Sequence, residues 1–246
     1  QSVTTTLDSG VVETRTSFLG PASGAVTKTD NADRFEWDSI TTTYDAHGAK
    51  VEVVRIDDSG IRATTNYAND QRVTANWVDT NDVENWEYRN ANYDSQGRLT
   101  LLTQRMDAGF DVHRTYNAGV IEQRTDWDVT GVMAWSNRAV LYHPTGQVKI
   151  AYANFDNGVS VTKNYSNGVL TRILKNDDQD KFDWFYTIRK FSDFNGSLLH
   201  VTRGYDDGTV THKDARGLDI FTDGRQGSVA EDAAPNLVAT GAFEVV

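Results

Sequence analysis

Hydrophobic and polar residues alternate along this chain with a period of two, over short stretches broken by turns. In Leu99-Thr100-Leu101-Leu102-Thr103-Gln104 and Val159-Ser160-Val161-Thr162-Lys163-Asn164 one face is more apolar than the other, which predicts strands in a half-covered sheet. Helix is not favoured anywhere. The alternation is imperfect, because Arg55, Arg89, Arg105, Arg114 and Arg138 recur in mid-strand. The inner layer is therefore expected to be partly polar, which points to a thin, extended sheet held by cross-strand aromatic and threonine pairs and not to a globule with a thick apolar core.

The strands belong to a repeat. Trp37, Trp86, Trp135 and Trp184 stand 49 residues apart, and an aromatic follows seven residues after each, at Tyr44, Tyr93, Tyr142 and Phe191. Four turns recur in register. The first ends in glycine at Gly48, Gly97, Gly146 and Gly196; the second is Asp58-Ser59-Gly60, Asp107-Ala108-Gly109, Asp156-Asn157-Gly158 or Asp206-Asp207-Gly208. The third runs Tyr67 to Asp70, Tyr116 to Gly119 and Tyr165 to Gly168, with Asp214 to Gly217 as a degenerate copy. The fourth is Asp79 to Asp82, Asp128 to Gly131 or Asp177 to Asp180. Each repeat reads as four strands joined by four turns, an antiparallel meander. The N-terminus joins in mid-repeat, with strands at Thr4 to Asp8 and Val11 to Phe18, and residues 19 to 33 are expected to supply a more irregular fourth strand.

The segment Tyr93-Asp94-Ser95-Gln96-Gly97-Arg98-Leu99-Thr100 resembles the YD repeat of RHS-type proteins, a pattern of tyrosine, aspartate, two variable residues, glycine, arginine and leucine. The other three copies keep only the turn. The resemblance implies an extended β-spiral or solenoid of hairpins over residues 1–221. The chain is also similar to the Tyr-Asp-Gly repeats that accompany RTX and VCBS segments in large secreted bacterial proteins. After a polar stretch at 222–227, residues 228–246 resemble the opening of a VCBS or cadherin-like module, which implies that the chain is a piece of a longer array. One rival architecture fits the arithmetic: a five-bladed β-propeller in which residues 236–246 supply the closing strand.

Composition narrows the function classes. The formal charge is −11, from 35 acidic and 24 basic residues, with the basic ones spread along the repeats, so nucleic acid is not an expected partner. No apolar run reaches transmembrane length, no signal peptide is discernible, and no insertion into a membrane is expected. With no cysteine there are no disulfides or thiolate metal sites. Among the histidines, His113 and His212 share one strand position that Thr64 and Thr162 fill elsewhere, so they read as exchangeable cross-strand residues. Asp177, Asp178 and Asp180 form the densest carboxylate group and are the candidate metal ligands, calcium being the ion that such oxygens suit; solvated turn charge is the plainer reading. The four repeat tryptophans are expected to stack on like neighbours in successive repeats as a ladder.

These features lead to a structural or adhesive repeat segment of a large secreted or cell-surface bacterial protein, calcium-dependent if the aspartates bind it. Its expected partners are neighbouring repeats and extracellular polysaccharide or cell-surface glycans. The alternatives are a carbohydrate-binding, lectin-like propeller and a polysaccharide-active lyase or hydrolase, the latter drawing on Tyr186 or His200 with Arg189 or Arg203. No catalytic motif selects an enzyme.

Overall fold

Tight turns at the predicted places let the chain reverse on itself again and again, and the described residues form nineteen strands in succession. The computed structural model describes residues 1–17 and 23–223, so residues 228–246 and most of the expected linker lie outside the described residues. The described residues contain no helix, and hence none long and apolar enough to cross a membrane. The chain divides into two compact units, Gln1–Gly119 and Val120–Val246.

The first unit holds β1 (Ser2–Thr6), β2 (Val11–Ser17), β3 (Gly24–Asp30), β4 (Trp37–Tyr44), β5 (Lys50–Asp57), β6 (Ile61–Ala68), β7 (Gln71–Asp79), β8 (Trp86–Tyr93), β9 (Leu99–Met106) and β10 (Phe110–Asn117). The second holds β11 (Val120–Asp128), β12 (Trp135–Tyr142), β13 (Val148–Phe155), β14 (Val159–Ser166), β15 (Val169–Asp177), β16 (Trp184–Phe191), β17 (Leu198–Tyr205), β18 (Val210–Asp214) and β19 (Asp219–Asp223). Within each unit every strand pairs antiparallel with the strand before and after it, giving an open, all-β meander to which each 49-residue repeat adds four strands.

Two expectations are corrected. A propeller requires each four-stranded blade to end before the next begins, yet pairing runs straight through the repeat boundaries: β7 pairs β8 from Thr74↔Asn92 to Val78↔Tyr88, and β15 pairs β16 from Arg172↔Lys190 to Asn176↔Tyr186. The propeller is excluded. The irregular strand expected over residues 19–33 is, from Gly24 to Asp30, a regular strand paired on both sides. Its regularity comes from Asp30, whose carboxylate accepts the amides of Ala32, Arg34 and Phe35 at 3.1, 2.7 and 2.7 Å and so closes the same turn that Asp79, Asp128 and Asp177 close later.

The repeat aromatics sit at register breaks. Bulges fall between Trp37 and Ser39, Trp86 and Tyr88, Trp135 and Asn137, and Trp184 and Tyr186, and again beside Tyr44, Tyr93, Tyr142 and Phe191. A bulge inserts one residue and turns the local side chain to the other face, so these breaks put each tryptophan on the same sheet face in every repeat. Burial is shallow and occurs on both faces. Ala75 and Ala91, paired with each other, and Ala139, Ala151 and Ala153, set between longer cross-strand neighbours, are all buried, and the apolar cluster is small, made of Leu174, Tyr186 and Ile188.

Candidate functional site

Because paired residues share a face and alternate residues change it, the register assigns each side chain to the tryptophan face or to the opposite one. The opposite face carries a polar row in the first unit: Thr4, Thr14, Thr27, Thr41, Val54, Thr64, Asn76, Asn90, Thr103 and His113 are cross-strand neighbours in turn. Thr4 and Thr14 hydroxyls meet at 3.2 Å, Thr27 and Thr41 at 3.0 Å, and the Asn76 amide donates to Asn90 at 2.8 Å. His113 completes that row and burial lowers its pKa, while His212 holds the equivalent place and meets the Thr202 hydroxyl at 3.0 Å. Each histidine is thus a member of a cross-strand row in its own unit.

The tryptophan face is different in kind. Within each unit the repeat tryptophans, Trp37 with Trp86 and Trp135 with Trp184, stand four strands apart, about 19 Å at the usual strand spacing, so neither pair stacks as expected. Each has a local partner instead. Phe35 stacks on Trp37 at 5.3 Å and Phe182 on Trp184 at 5.5 Å, while the guanidinium groups of Arg89 and Arg138 lie 4.1 and 4.3 Å from the ring centres of Trp86 and Trp135.

On this face of the second unit β13, β14, β15 and β16 form a groove of about 530 Å³. Ala151 and Ala153 lower its floor, and Phe182 with Trp184 forms an aromatic wall. Three cations line it. Lys163 and Arg189 are both cross-strand partners of Ile173, one on each side, and Lys175 lies two residues along β15 from Ile173. Strand geometry places Lys163 and Arg189 about 10 Å apart and Lys175 about 7 Å along the strand from Ile173. None of the three has an ion pair or a side-chain hydrogen bond among the described residues, and no lining residue is acidic. Strand parity thus brings these three to one face, while Arg172 and Lys190, each one position away, lie on the other. Arg203, the partner of Thr187 on β17, continues the positive surface.

The third repeat shows what this face does with a carboxylate of its own. Asp126 is buried at 1% exposure, accepts two hydrogen bonds from Arg124 at 2.8 and 2.7 Å, and a third from Arg138 Nε at 3.0 Å while Arg138 covers Trp135. In the second repeat Trp77 takes the place of Asp126. Arg89 there covers Trp86 with its Nε buried and without a hydrogen-bond partner, beside a cavity of about 540 Å³ bordered by Trp77, Gln104 and Arg114, and the loss of hydration lowers its pKa.

The candidate calcium ligands are set in the fourth turn. Asp177 accepts the amides of Gln179 at 3.3 Å and Phe182 at 2.6 Å, one on each oxygen, and the Asp178 amide donates to the Gly158 carbonyl at 2.9 Å. Asp180 has a φ of 52°, the left-handed position that Asp33, Asp82 and Gly131 fill in the other repeats. Partial desolvation, then the charges of Asp180, Asp177 and Asp183, raise the pKa of the neighbouring Asp206. Among the described residues no group of three or more acidic or histidine side chains is arranged to hold a metal ion.

The residues weighed for polysaccharide chemistry do not converge. Tyr186 and His200 belong to the face opposite the tryptophans, where they pair with Gly204 and Lys190, whereas Arg189 and Arg203 lie on the tryptophan face. The sheet backbone separates each acid/base candidate from each cation. Compared with known proteins, the chain matches no protein-family profile, and no curated protein aligns with it significantly.

Proposed function

We propose that this chain is a structural and adhesive repeat segment of a large secreted or cell-surface protein, a meander whose tryptophan face contacts glycans without turning them over. The observation that supports this reading is the contrast between two positions only two residues apart. Asp30, Asp79, Asp128 and Asp177 are the same residue seven positions ahead of each of the four repeat tryptophans and close the same turn on backbone amides. Lys28, Trp77, Asp126 and Lys175, which precede them on the tryptophan face, differ from repeat to repeat. A framework held constant beneath a face that varies is what a display scaffold requires.

The turn Tyr93 to Thr100 gives the YD-like motif a physical basis that suits such a scaffold. Asp94 accepts the amides of Gln96 and Arg98 at 2.8 and 3.0 Å and pairs with the Arg98 guanidinium at 2.8 Å, locking the hairpin from both sides. Calcium at Asp177, Asp178 and Asp180 stays outside this proposal, since Asp177 already receives an amide on each oxygen. A panel of immobilised neutral and acidic glycans, probed with and without calcium and assayed for released reducing ends, tests it. Retention on glycans without product is the expected outcome. Retention on none of them, or depolymerisation of any, refutes the reading.

A further inference from the structure

The groove over β13–β16 combines three features that point to one class of ligand, and the inference rests on the adhesive reading above. We infer that it binds a linear acidic polysaccharide, its anionic groups meeting Lys163, Lys175 and Arg189 and a sugar ring lying against Phe182 and Trp184. The first feature is charge. In a chain of net charge −11, the groove has three cations with no ion pair among the described residues and no carboxylate in its lining. On the paired rows of β14 to β17 the one acidic residue of that face is Asp177, and its oxygens are taken by turn amides.

The second feature is the aromatic wall. Phe182 and Trp184 are stacked with 21° between their planes, and Phe182 keeps 41% of its surface exposed. A flat, electron-rich surface of this kind accepts the C–H face of a pyranose. The third feature is its singularity within the repeat. The positions of Lys163, Lys175 and Arg189 are held by Arg114, Asp126 and Val140 one repeat earlier, and by Thr65, Trp77 and Ala91 in the repeat before that. Neither earlier repeat places three cations at these positions; here two come from the strands after Trp135 and the third, Arg189, from the strand that Trp184 opens.

A polysaccharide suits these features better than a nucleic acid. Phosphate-dense polymers are repelled by the strongly acidic remainder of the chain, while a polymer with one charge per sugar or per disaccharide matches cations set about 7 to 10 Å apart on a pleated sheet. The shared recognition chemistry is an equatorial anion beside an apolar ring face, offered by uronate carboxylates and by sulfate esters.

Titration calorimetry of the whole chain with oligogalacturonate, a heparin oligosaccharide, a neutral β-glucan oligosaccharide and an oligothymidylate discriminates these. Binding of one or both acidic sugars is expected, weakening as salt rises, with the preferred one identifying carboxylate or sulfate. The triple variant K163Q/K175Q/R189Q is expected to lose at least about tenfold in affinity and most of the salt dependence, since each neutralised contact removes its share of counterion release. Phe182→Ala is expected to weaken binding while the salt slope stays. The single variant R189Q, altering an exposed residue, gives the same direction if the triple variant is destabilised.

Several results overturn the inference. They are undiminished binding by the triple variant and R189Q, equal or tighter binding of the neutral glucan, tighter binding of oligothymidylate, or no acidic sugar bound at about 1 mM. A neutral glycan bound by wild type and variants alike removes the inference and leaves the adhesive reading standing; no glycan of any kind bound removes both.

Discussion

Replacing Asp126 with alanine should uncouple the buried ion network of the third repeat. The carboxylate has 1% of its surface exposed and holds two arginines whose side chains are 32% and 17% exposed. Removing one partner of a buried pair typically costs about 3–5 kcal/mol, because the remaining charge is left desolvated. Here both arginines retain a route to water, and Arg138 keeps its place over Trp135, so the expected loss is lower, about 2–3 kcal/mol. Long repeat arrays unfold with limited cooperativity, so the loss should be local. Urea titration followed by amide exchange should show β11, β12 and β13 losing protection first, with β4 to β6 unchanged. A double-mutant cycle with Arg138→Ala isolates the pair, and the second substitution should cost less in the Asp126→Ala background than alone. A cost below about 0.5 kcal/mol for Asp126→Ala at low salt, or strictly additive effects in the cycle, would refute the assignment.

Three further outcomes follow from the geometry. A Cβ on Gly204 would stand 2.4 Å from the Tyr186 ring and 2.8 Å from that of Phe185, so Gly204→Ala should lower stability by about 1–3 kcal/mol and loosen the Leu174, Tyr186 and Ile188 cluster; an unchanged urea midpoint would show the ring to be freely displaced. Asp180→Gly should raise stability by about 0.5 kcal/mol by relieving a left-handed aspartate, with no response to calcium before or after; loss of a calcium-dependent stabilisation would instead identify Asp180 as a ligand. For pH, Asp45 is held below its ordinary pKa chiefly by the amides of Ala49 and His47, and Asp94 by the amide and then the side chain of Arg98. Depressed folded values mean that this stabilisation is complete above the unfolded carboxylate value of about 3.9 and is lost as pH falls below it. Asp58, Asp107 and Asp206 have raised values and act in the opposite sense, losing stability as pH rises through them. A denaturation series between pH 7 and 2 should therefore fall away below pH 4, and the acid limb should flatten in a D45A/D94A variant; an identical limb in wild type and variant would count against the turn assignment.

The strands and turns were legible because the residues that specify them are local. Gly48, Gly97 and Gly146 mark tight reversals with φ near 80° wherever they fall, and the tryptophan spacing counts four strands between one copy and the next. The strand from Gly24 to Asp30 is regular where the sequence pattern looks irregular, and the residue that signals it is Asp30, which stands 49 residues before Asp79 and serves the same turn. The binding groove was not legible, because it depends on register. Lys163, Lys175 and Arg189 are twelve and fourteen residues apart, and only the pairings of Ile173 and Val161 bring them together. Spacing of three between Tyr186 and Arg189, and between His200 and Arg203, already separates these residues by face under a period of two. The bulges beside Trp184 and Phe191, which no sequence pattern announces, shift that parity at both ends of β16, so the register and not the spacing alone fixes the faces.

Sequential pairing also determines how such a chain answers tension. Where each strand is bonded only to its sequence neighbours, a pull that separates those neighbours loads the ladder bonds one after another and not all together. Extension should then proceed hairpin by hairpin, each of about half a repeat releasing roughly 80 Å of contour. Single-molecule stretching of either unit would show a sawtooth of small, evenly spaced steps, the behaviour of a tether that yields gradually and refolds piecemeal when the load is removed.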